Sequence, residues 1–423
     1  MKITFLIHNV YGIGGTIRTT LNLASALAER HEVTIVSMLR HRARPQFAID
    51  ERVRVVPLVD LRKESADTGD PLLHQPSEAF PTAEKRYRQY NRLTDLRAEG
   101  YLRDCDADVI LGTRPGVNVY LARFAPHRAL RIAQEHLTHN SHSKQLRAQL
   151  APHYRTLDAV TTTTEADAAV YRARMRLPGV RVQAVPNSVP EPRVAPADGE
   201  AKVIAAAGRL VRAKRFDLLI ESFTEVAAEH PDWRLRIYGA GTDKERLQCL
   251  MDEHGLAGRA HLMGVASPIE AEFAQASLVV SASEAESFGM TLVEAMRCGV
   301  PVVSADCPLG PAEIIRDGVD GRLVPVGDRA ALTAVLLDLI ADDAARRRMG
   351  EAARTAARRY DPELVAQNCE ALFADLAATR RTRAWTRQRA VWRGRLRRRV
   401  PAAFRPLLPL VSSLPRRLRH RAS

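Results

Sequence analysis

The chain has 423 residues, of which 46% are hydrophobic and 26% charged, with a formal net charge of +14. That length supports two domains with full cores, and the composition is that of a soluble globular protein. No stretch of eighteen uninterrupted apolar residues offers a transmembrane helix, the N-terminal apolar run is too short for a signal peptide, and the five scattered cysteines lack zinc spacing.

A reduced, cytoplasmic protein is therefore the expectation. The charge is unevenly placed. Fifteen arginines and no acidic residue lie from Arg380 to the end, leaving residues 1–379 at −1. A near-neutral body carries a basic tail, and the two parts point to separate functions.

Residues 3–7 read as a first strand, followed by Gly12-Ile13-Gly14-Gly15 and a helix over 18–29. Strand, glycine-rich turn and helix form a phosphate-binding arrangement, because glycine lets backbone approach an anion. A dinucleotide site, a nucleotide-sugar site and a plain tight turn all fit it. Strands follow over 33–38 and 53–59. Arg40, His41 and Arg42 stand where a NAD site favours an acidic residue, which tolerates only NADP. Residues 60–83 read as a long polar loop and 84–100 as a helix. Asp104, Asp106 and Asp108 precede the strand 109–112. They lie at its amino end, away from where open α/β sheets bind ligands, and read as a polar entry turn.

A strand over 130–133 leads to His136, at a carboxyl end facing the expected cleft, in a loop shared with His139 and His142. Strand 159–163, helix 165–174 and strand 182–185 complete the first domain, and a proline-rich stretch links it to the second. There, strand 202–207 runs into Gly208-Arg209 and, five residues on, Lys214. Two cations between a strand's carboxyl end and a helix can grip a diphosphate, arginine as a fork and lysine as a point charge. Strands follow over 233–238 and 260–263, the latter ending in Gly264. Residues 278–306 form the most informative stretch: an apolar strand 278–280, a polar turn, a helix 290–297 and a strand 302–305. Glu286 lies in the turn and Glu294 in the helix. Phe288-Gly289 points the first N–H groups of the helix, those of Met290 and Thr291, at whatever occupies the cleft. Residues 318–321 mark a turn, and helices over 329–341, 343–358 and 361–378 close the domain.

Glu286-x7-Glu294, with Phe288-Gly289 between them and Gly-Val-Pro-Val-Val after, resembles the signature of family 4 retaining glycosyltransferases of the GT-B fold, also called group 1. Arg209 and Lys214 match that family's Arg-x4-Lys pair, and the Val-Pro-Asn-Ser run at 185–188 is similar to the segment ending its first domain. The resemblance covers residues 1–378, most specifically 205–330. It implies two doubly wound, Rossmann-like parallel-sheet domains facing a cleft: an acceptor-side domain over 1–187, a linker over 188–200, a nucleotide-sugar domain over 201–360, and a terminal helix over 361–379 crossing back. It further implies transfer of a sugar from a nucleotide-sugar to a hydroxyl acceptor with retained configuration, in cell-envelope polysaccharide or glycolipid synthesis.

By the same resemblance Gly14 and Gly15 lie against the donor diphosphate, and Arg209 and Lys214, beside Gly208, stabilise it as it leaves. Phe288, Gly289, Met290 and Thr291 help to bind the donor. Glu294 would hold the ribose, Glu286 a sugar hydroxyl, His136 the sugar or acceptor, and the Gly264 backbone the base. No cofactor and no metal are expected, since these cations do a metal's work. The rival readings are an NADP-dependent oxidoreductase and a non-enzymatic adaptor binding membrane or nucleic acid through the tail.

The tail, 380–423, supplies its own expectation. Trp385, Trp392, Leu396 and Val400 share one helical face, with Arg387, Arg389, Arg393, Arg395, Arg397, Arg398 and Arg399 around the rest and Pro401 ending the helix. Such a helix lies on an anionic membrane surface. The expected location is thus cytoplasmic and peripheral to the inner face of the membrane, near a polysaccharide, glycolipid or lipid-linked acceptor, with no nucleic-acid partner.

Overall fold

Short apolar strands alternating with helices can pair in parallel only through crossovers, and this chain builds two sheets that way. The structure is a computed structural model that describes residues 1–399, with side chains through Trp392. The first sheet contains β1 (Lys2–Ile7), β2 (Glu32–Arg40), β3 (Val53–Asp60), β4 (Val109–Gly112), β5 (Leu130–Glu135), β6 (Ala159–Thr162) and β7 (Arg181–Ala184). Its order is β3-β2-β1-β4-β5-β6-β7, all parallel. The second contains β8 (Val203–Ala207), β9 (Arg234–Tyr238), β10 (Ala260–Gly264), β11 (Leu278–Ser281), β12 (Val302–Ala305) and β13 (Gly321–Val324). Its order is β10-β9-β8-β11-β12-β13, again all parallel. Helices cover both faces of each sheet, so central strands such as β4 and β12 are buried along their whole length. In each sheet the order reverses beside the first strand of its half. This leaves a crevice at the carboxyl ends of β1 and β4 and another at those of β8 and β11.

The architecture is the expected pair of doubly wound parallel sheets, with local departures. β13 occupies residues expected to begin as a turn. Gly321 pairs with Val302 at the sheet edge, where an added Cβ would lie 2.8 Å from the Val302 carbonyl oxygen. Pairing with a neighbouring strand, which local turn chemistry does not report, extends the sheet. The helix expected over 84–100 runs instead from Arg92 to Asp104, because the Asn91 side chain caps it by accepting from the Thr94 N–H at 2.9 Å.

The preceding polar loop is tied down by one buried carboxylate. Asp95 accepts from Ser77 Oγ at 2.6 Å, the Glu78 N–H at 2.7 Å and Tyr120 Oη at 2.5 Å. Phe80 stacks on Tyr90 with ring centroids 3.6 Å apart. These contacts hold residues 77–90 over the carboxyl end of the first sheet.

The Pro362–Ala378 helix buries Val365, Cys369, Leu372, Phe373 and Leu376 in the same core as Ile3 and Phe5 of β1. A further helix, Arg380–Arg399, begins the basic tail. Its first turns are not free to meet a membrane, which corrects the expectation for Arg387. Arg383 is 9% exposed and donates to Asp158 Oδ1 at 2.8 Å, and Arg387 donates to the Leu157 carbonyl at 2.7 Å. Asp158 sits at the amino end of β6, buried, and a buried carboxylate draws the nearest cations onto itself. Trp385 and Trp392 remain on the surface, 54% and 44% exposed. The side chains of residues 393–399, and Val400, Pro401 and the rest of the tail, lie outside the described residues.

Arg383→Ala should therefore destabilise the first domain by roughly 1.5–3 kcal/mol, the worth of a hydrogen bond to a charged group. Urea denaturation followed through the N-terminal domain checks this, and an unchanged midpoint would show that the helix is not docked.

Candidate active site

The loops after β8, β9 and β11 converge at the carboxyl edge of the second sheet. Gly208 and Gly239 are in such close approach that a Cβ on Gly239 would lie 1.8 Å from the Gly208 carbonyl oxygen. The Gly264 carbonyl accepts from the Gly239 N–H at 2.7 Å, which ties the end of β10 to the loop after β9. Lys214 folds back over Gly208, whose added Cβ would stand 3.5 Å from Lys214 Cε. Lys214 Nζ donates to Glu286 Oε1 at 2.5 Å. Sequence reasoning gave these two side chains separate tasks, and the fold brings them into one ion pair. Arg209 is exposed and has no salt-bridge partner among the described residues.

Gly289 takes φ +110°, a left-handed conformation that suits glycine, and leaves the Met290–Arg297 helix without a side-chain cap. Among the described residues the N–H groups of Met290 and Thr291 meet no acceptor. This is an open anion-binding end next to the Lys214–Glu286 pair. Phe288 plays a different part from the one its place in the motif suggests. Its ring is 4% exposed and packs edge-on against Tyr360 at 5.3 Å, so the side chain anchors the loop and is closed to a ligand.

The first domain closes the other wall. Gly14 caps the Gly15–Leu27 helix with open space where a Cβ would stand, and a Cβ on Gly15 would lie 3.9 Å from Met290 Cγ. One turn on, Arg18 reaches across, pairing closely with Glu270 and lying 3.3 Å from Glu294 Oε1. Glu270 and Glu294 are both buried, and burial pushes the Glu294 carboxyl up to about 7 against the pull of Arg18. Two further contacts bridge the domains. Thr163 Oγ1 donates to the Ser287 carbonyl at 2.5 Å, and Glu313 accepts from the N–H groups of Ala166 and Glu165 at 2.6 and 2.9 Å. Sequence reasoning missed Arg18, Glu270, Thr163 and Glu313. Only Arg18 carried a usable signal, as a cation one turn into the helix after the glycine pair.

His136 follows β5 at the carboxyl edge. Both ring nitrogens are buried, with the Asn187 side chain as their polar neighbour, and burial pushes the ring down to about 4 despite Glu135 and Asn187, so it is neutral. His139 and His142, in the same loop, are both buried. His142 Nε2 meets the buried Glu135 carboxylate at 3.2 Å, and the His139 ring stands edge-on to Tyr171 at 5.0 Å. Asn118 Nδ2 donates to Glu135 at 3.1 Å, as does the Tyr154 hydroxyl, completing a polar network beneath His136. The acidic triplet lies at the opposite edge of the sheet, where Asp106 and Asp108 are engaged by Lys2.

Two family models match the chain, glycosyltransferase family 4 over residues 13–193 and glycosyl transferases group 1 over residues 190–356. An exopolysaccharide phosphotransferase of Streptomyces coelicolor is 34% identical over 395 residues, covering 90% of this chain. The chain spans only 41% of that relative's length. Among solved structures, sucrose-phosphate synthase of Thermosynechococcus elongatus superposes with a TM-score of 0.72 at 17% identity, covering 90% of this chain and all (100%) of that one. TarM of Staphylococcus aureus, in complex with fondaparinux, alpha-GlcNAc-glycerol and UDP, superposes at 0.70 with 16% identity, covering 88% and 99%. At these identities the structures establish the fold, which is GT-B.

The buried Glu294 makes a pH test of the site's electrostatics. With its carboxyl raised to about 7 from an ordinary 4.5, the folded chain binds more protons than the unfolded chain between those values. Stability then falls as pH rises through that window. Glu294→Gln does not titrate, so relative to the wild type it should gain progressively from pH 4.5 to 8, by about 3 kcal/mol across that range. Urea melts at several pH values check this, and a constant difference would mean that Glu294 is ionised throughout.

Proposed function

Since this chain belongs to the group 1, family 4 type of glycosyltransferases, we propose that it transfers a sugar from a nucleotide-sugar to a hydroxyl acceptor with retention of configuration, in the synthesis of a cell-envelope polysaccharide or glycolipid. The observation that carries this reading is the meeting, at one cleft edge, of Lys214, Glu286 and the uncapped Met290–Arg297 helix, with Gly15 on the opposite wall. A diphosphate there meets a helix N-terminus, an ammonium group and the uncommitted guanidinium of Arg209. These groups oppose the negative charge that develops as the sugar–phosphate bond breaks, which is commonly the largest catalytic contribution. No resident metal or cofactor is invoked.

Glu286 is freed from Lys214 as the lysine turns to phosphate, and then accepts a hydroxyl of the sugar. Glu294, one turn into the helix, accepts the ribose hydroxyls. Neutral His136, at the carboxyl edge of β5, contacts the sugar or the incoming hydroxyl. The NADP reading leaves the Lys214–Glu286 and Arg18–Glu294 pairs without a task and is not favoured. The phosphotransferase name of the Streptomyces relative belongs to a protein of which this chain spans 41%, and it is not carried over.

Thermal-shift screening with UDP, GDP, ADP and NADP tests the donor. One nucleoside diphosphate should stabilise by about 2.7 kcal/mol at 100 times its dissociation constant. With that carrier, Arg209→Ala and Lys214→Ala should each lower turnover roughly 10²-fold or more. Near-normal turnover in both would remove the diphosphate assignment.

We further place the protein on the cytoplasmic face of an anionic membrane. Among the described residues no helix is long and apolar enough to cross one. Trp385, with Arg389 over its ring at 5.0 Å, stands on the surface of the tail helix between the two arginines that anchor it to Asp158, and Val391, 56% exposed, lies beyond them. Aromatic and arginine side chains together suit a lipid–water interface. Full-length chain should co-sediment with anionic vesicles at low salt, and a chain ending at Ala378 should not. Equal behaviour of the two, or tighter binding of the tail to duplex DNA, would overturn the placement.

A further inference from the structure

The carboxyl edge of the first sheet holds a second polar cluster that the donor site does not use. His8 follows β1, His41 follows β2 and Arg114 lies just after β4, so all three stand at the crevice. Arg86, in the segment held down by Asp95 and the Phe80–Tyr90 stack, lies over them. Its Nη1 donates to His8 Nε2 at 3.2 Å and to Gln89 Oε1 at 2.9 Å. The opposite nitrogen of His8 meets Tyr90 Oη at 2.8 Å. Because arginine can only donate, His8 Nε2 is an acceptor and Nδ1 carries the proton, so the imidazole is neutral and brings no charge.

No carboxylate lies within salt-bridge distance of Arg86 among the described residues. The nearest candidate, Glu84, is committed elsewhere. It is buried, accepts from Arg114 Nη2 at 2.5 Å, and accepts from the backbone N–H of Arg86 at 2.9 Å. Arg114 also keeps its Nε buried with no hydrogen-bond partner. Burial and the neighbouring Arg114 push the Arg86 guanidinium below its ordinary pKa. Two guanidinium groups thus share a half-enclosed recess with one carboxylate. A cation kept partly out of water without a counter-ion is unfavourable, and an anion entering the recess would relieve that cost.

The recess adjoins the donor loop. Asn9 Nδ2 contacts His41 Nε2 at 3.0 Å and stands 3.1 Å from where a Cβ on Gly12 would be. Three residues further on, Gly15 faces Met290 across the cleft. An anion in the recess would thus lie in the first domain, on the side of the glycine-rich loop.

We propose that Arg86 and Arg114 form a phosphate subsite for the acceptor, so that the accepting hydroxyl belongs to a phosphate ester. The guanidinium forks supply paired N–H donors to phosphoryl oxygens, and the charge selects esters over neutral sugars. The word acceptor rests on the glycosyl-transfer reading; the anion site itself does not.

The test is calorimetry with glycerol 3-phosphate, with glycerol as the neutral control, on the full wild-type chain and on Arg86→Gln, Arg86→Lys and Lys214→Ala. Glycerol 3-phosphate should bind where glycerol does not. Arg86→Gln should weaken it roughly tenfold or more, as for loss of a charge-assisted hydrogen bond, with Arg86→Lys intermediate and Lys214→Ala unchanged. Nucleoside diphosphate binding should show the reverse pattern, lost in Lys214→Ala and kept in Arg86→Gln. Glycerol 3-phosphate binding that survives Arg86→Gln and falls in Lys214→Ala would place the phosphate in the donor site and overturn the proposal while leaving the donor reading intact. Absence of binding, or equal binding of glycerol, would also overturn it. Loss of nucleotide binding from every form, with the Arg86 dependence preserved, would sink the donor reading and keep the anion site. Phosphatidylglycerol vesicles distinguish the source. Loss of glycerol 3-phosphate binding in the presence of the vesicles assigns the phosphate to a lipid headgroup, and glycerol 3-phosphate binding unchanged by them assigns it to a soluble phosphate ester.

Discussion

Two carboxylates buried side by side require a cation, and here the cation comes from the other domain. Glu270 and Glu294 are 6% and 7% exposed, and Arg18 is the one side chain that ion-pairs with both among the described residues. Without it the second domain would hold a like-charged buried pair, one member of which would have to stay protonated. The ion pair fixes how the two glycine-rich edges face each other. On the glycosyl-transfer reading proposed above, ribose hydroxyls would compete with Arg18 for the same carboxylate oxygens. That reading would link donor binding and the angle between the domains through one side chain.

The donor wall follows the same logic of unpaired groups. The helix that begins at Met290 has no side-chain cap, and its left-handed Gly289 leaves two N–H groups open. In the turn before it, Glu286 is neutralised by Lys214. At the other end of this helix Arg297, buried, donates to Asp361 at 2.9 Å and pairs with Glu191 at 3.3 Å. The linker and the start of the returning helix are thus anchored to the element that presents the anion site. Rigidity at the last turn of the helix supports an exposed, unsatisfied first turn.

The first domain combines order and adaptability in a similar way. Asp95 and the Phe80–Tyr90–Tyr120 rings turn a polar loop into a fixed platform for Arg86. Glu135 organises a buried network under His136. In both places a buried carboxylate satisfied by several donors holds up the neighbouring segment.

Sequence alone determined the fold class, because strand and helix periods are local properties of the chain. All seven strands of the first sheet and five of the second were legible as short apolar runs ending in glycine or polar turns. The candidate-site motif was legible for a related reason: Gly208, Arg209, Lys214, Glu286 and Gly289 lie in short segments after strand ends and Met290 to Glu294 begin the helix that follows, so their spacing carries their geometry. Tertiary structure decided which of these groups meet. The Lys214–Glu286 pair joins residues 72 positions apart, and the Arg18–Glu270 pair joins residues 252 apart. It also decided that Phe288 is an anchor, that His139 and His142 are buried, and that Arg383 and Arg387 of the basic tail serve Asp158. No local pattern reports such partners, because burial and charge pairing depend on which surfaces the two sheets bring together.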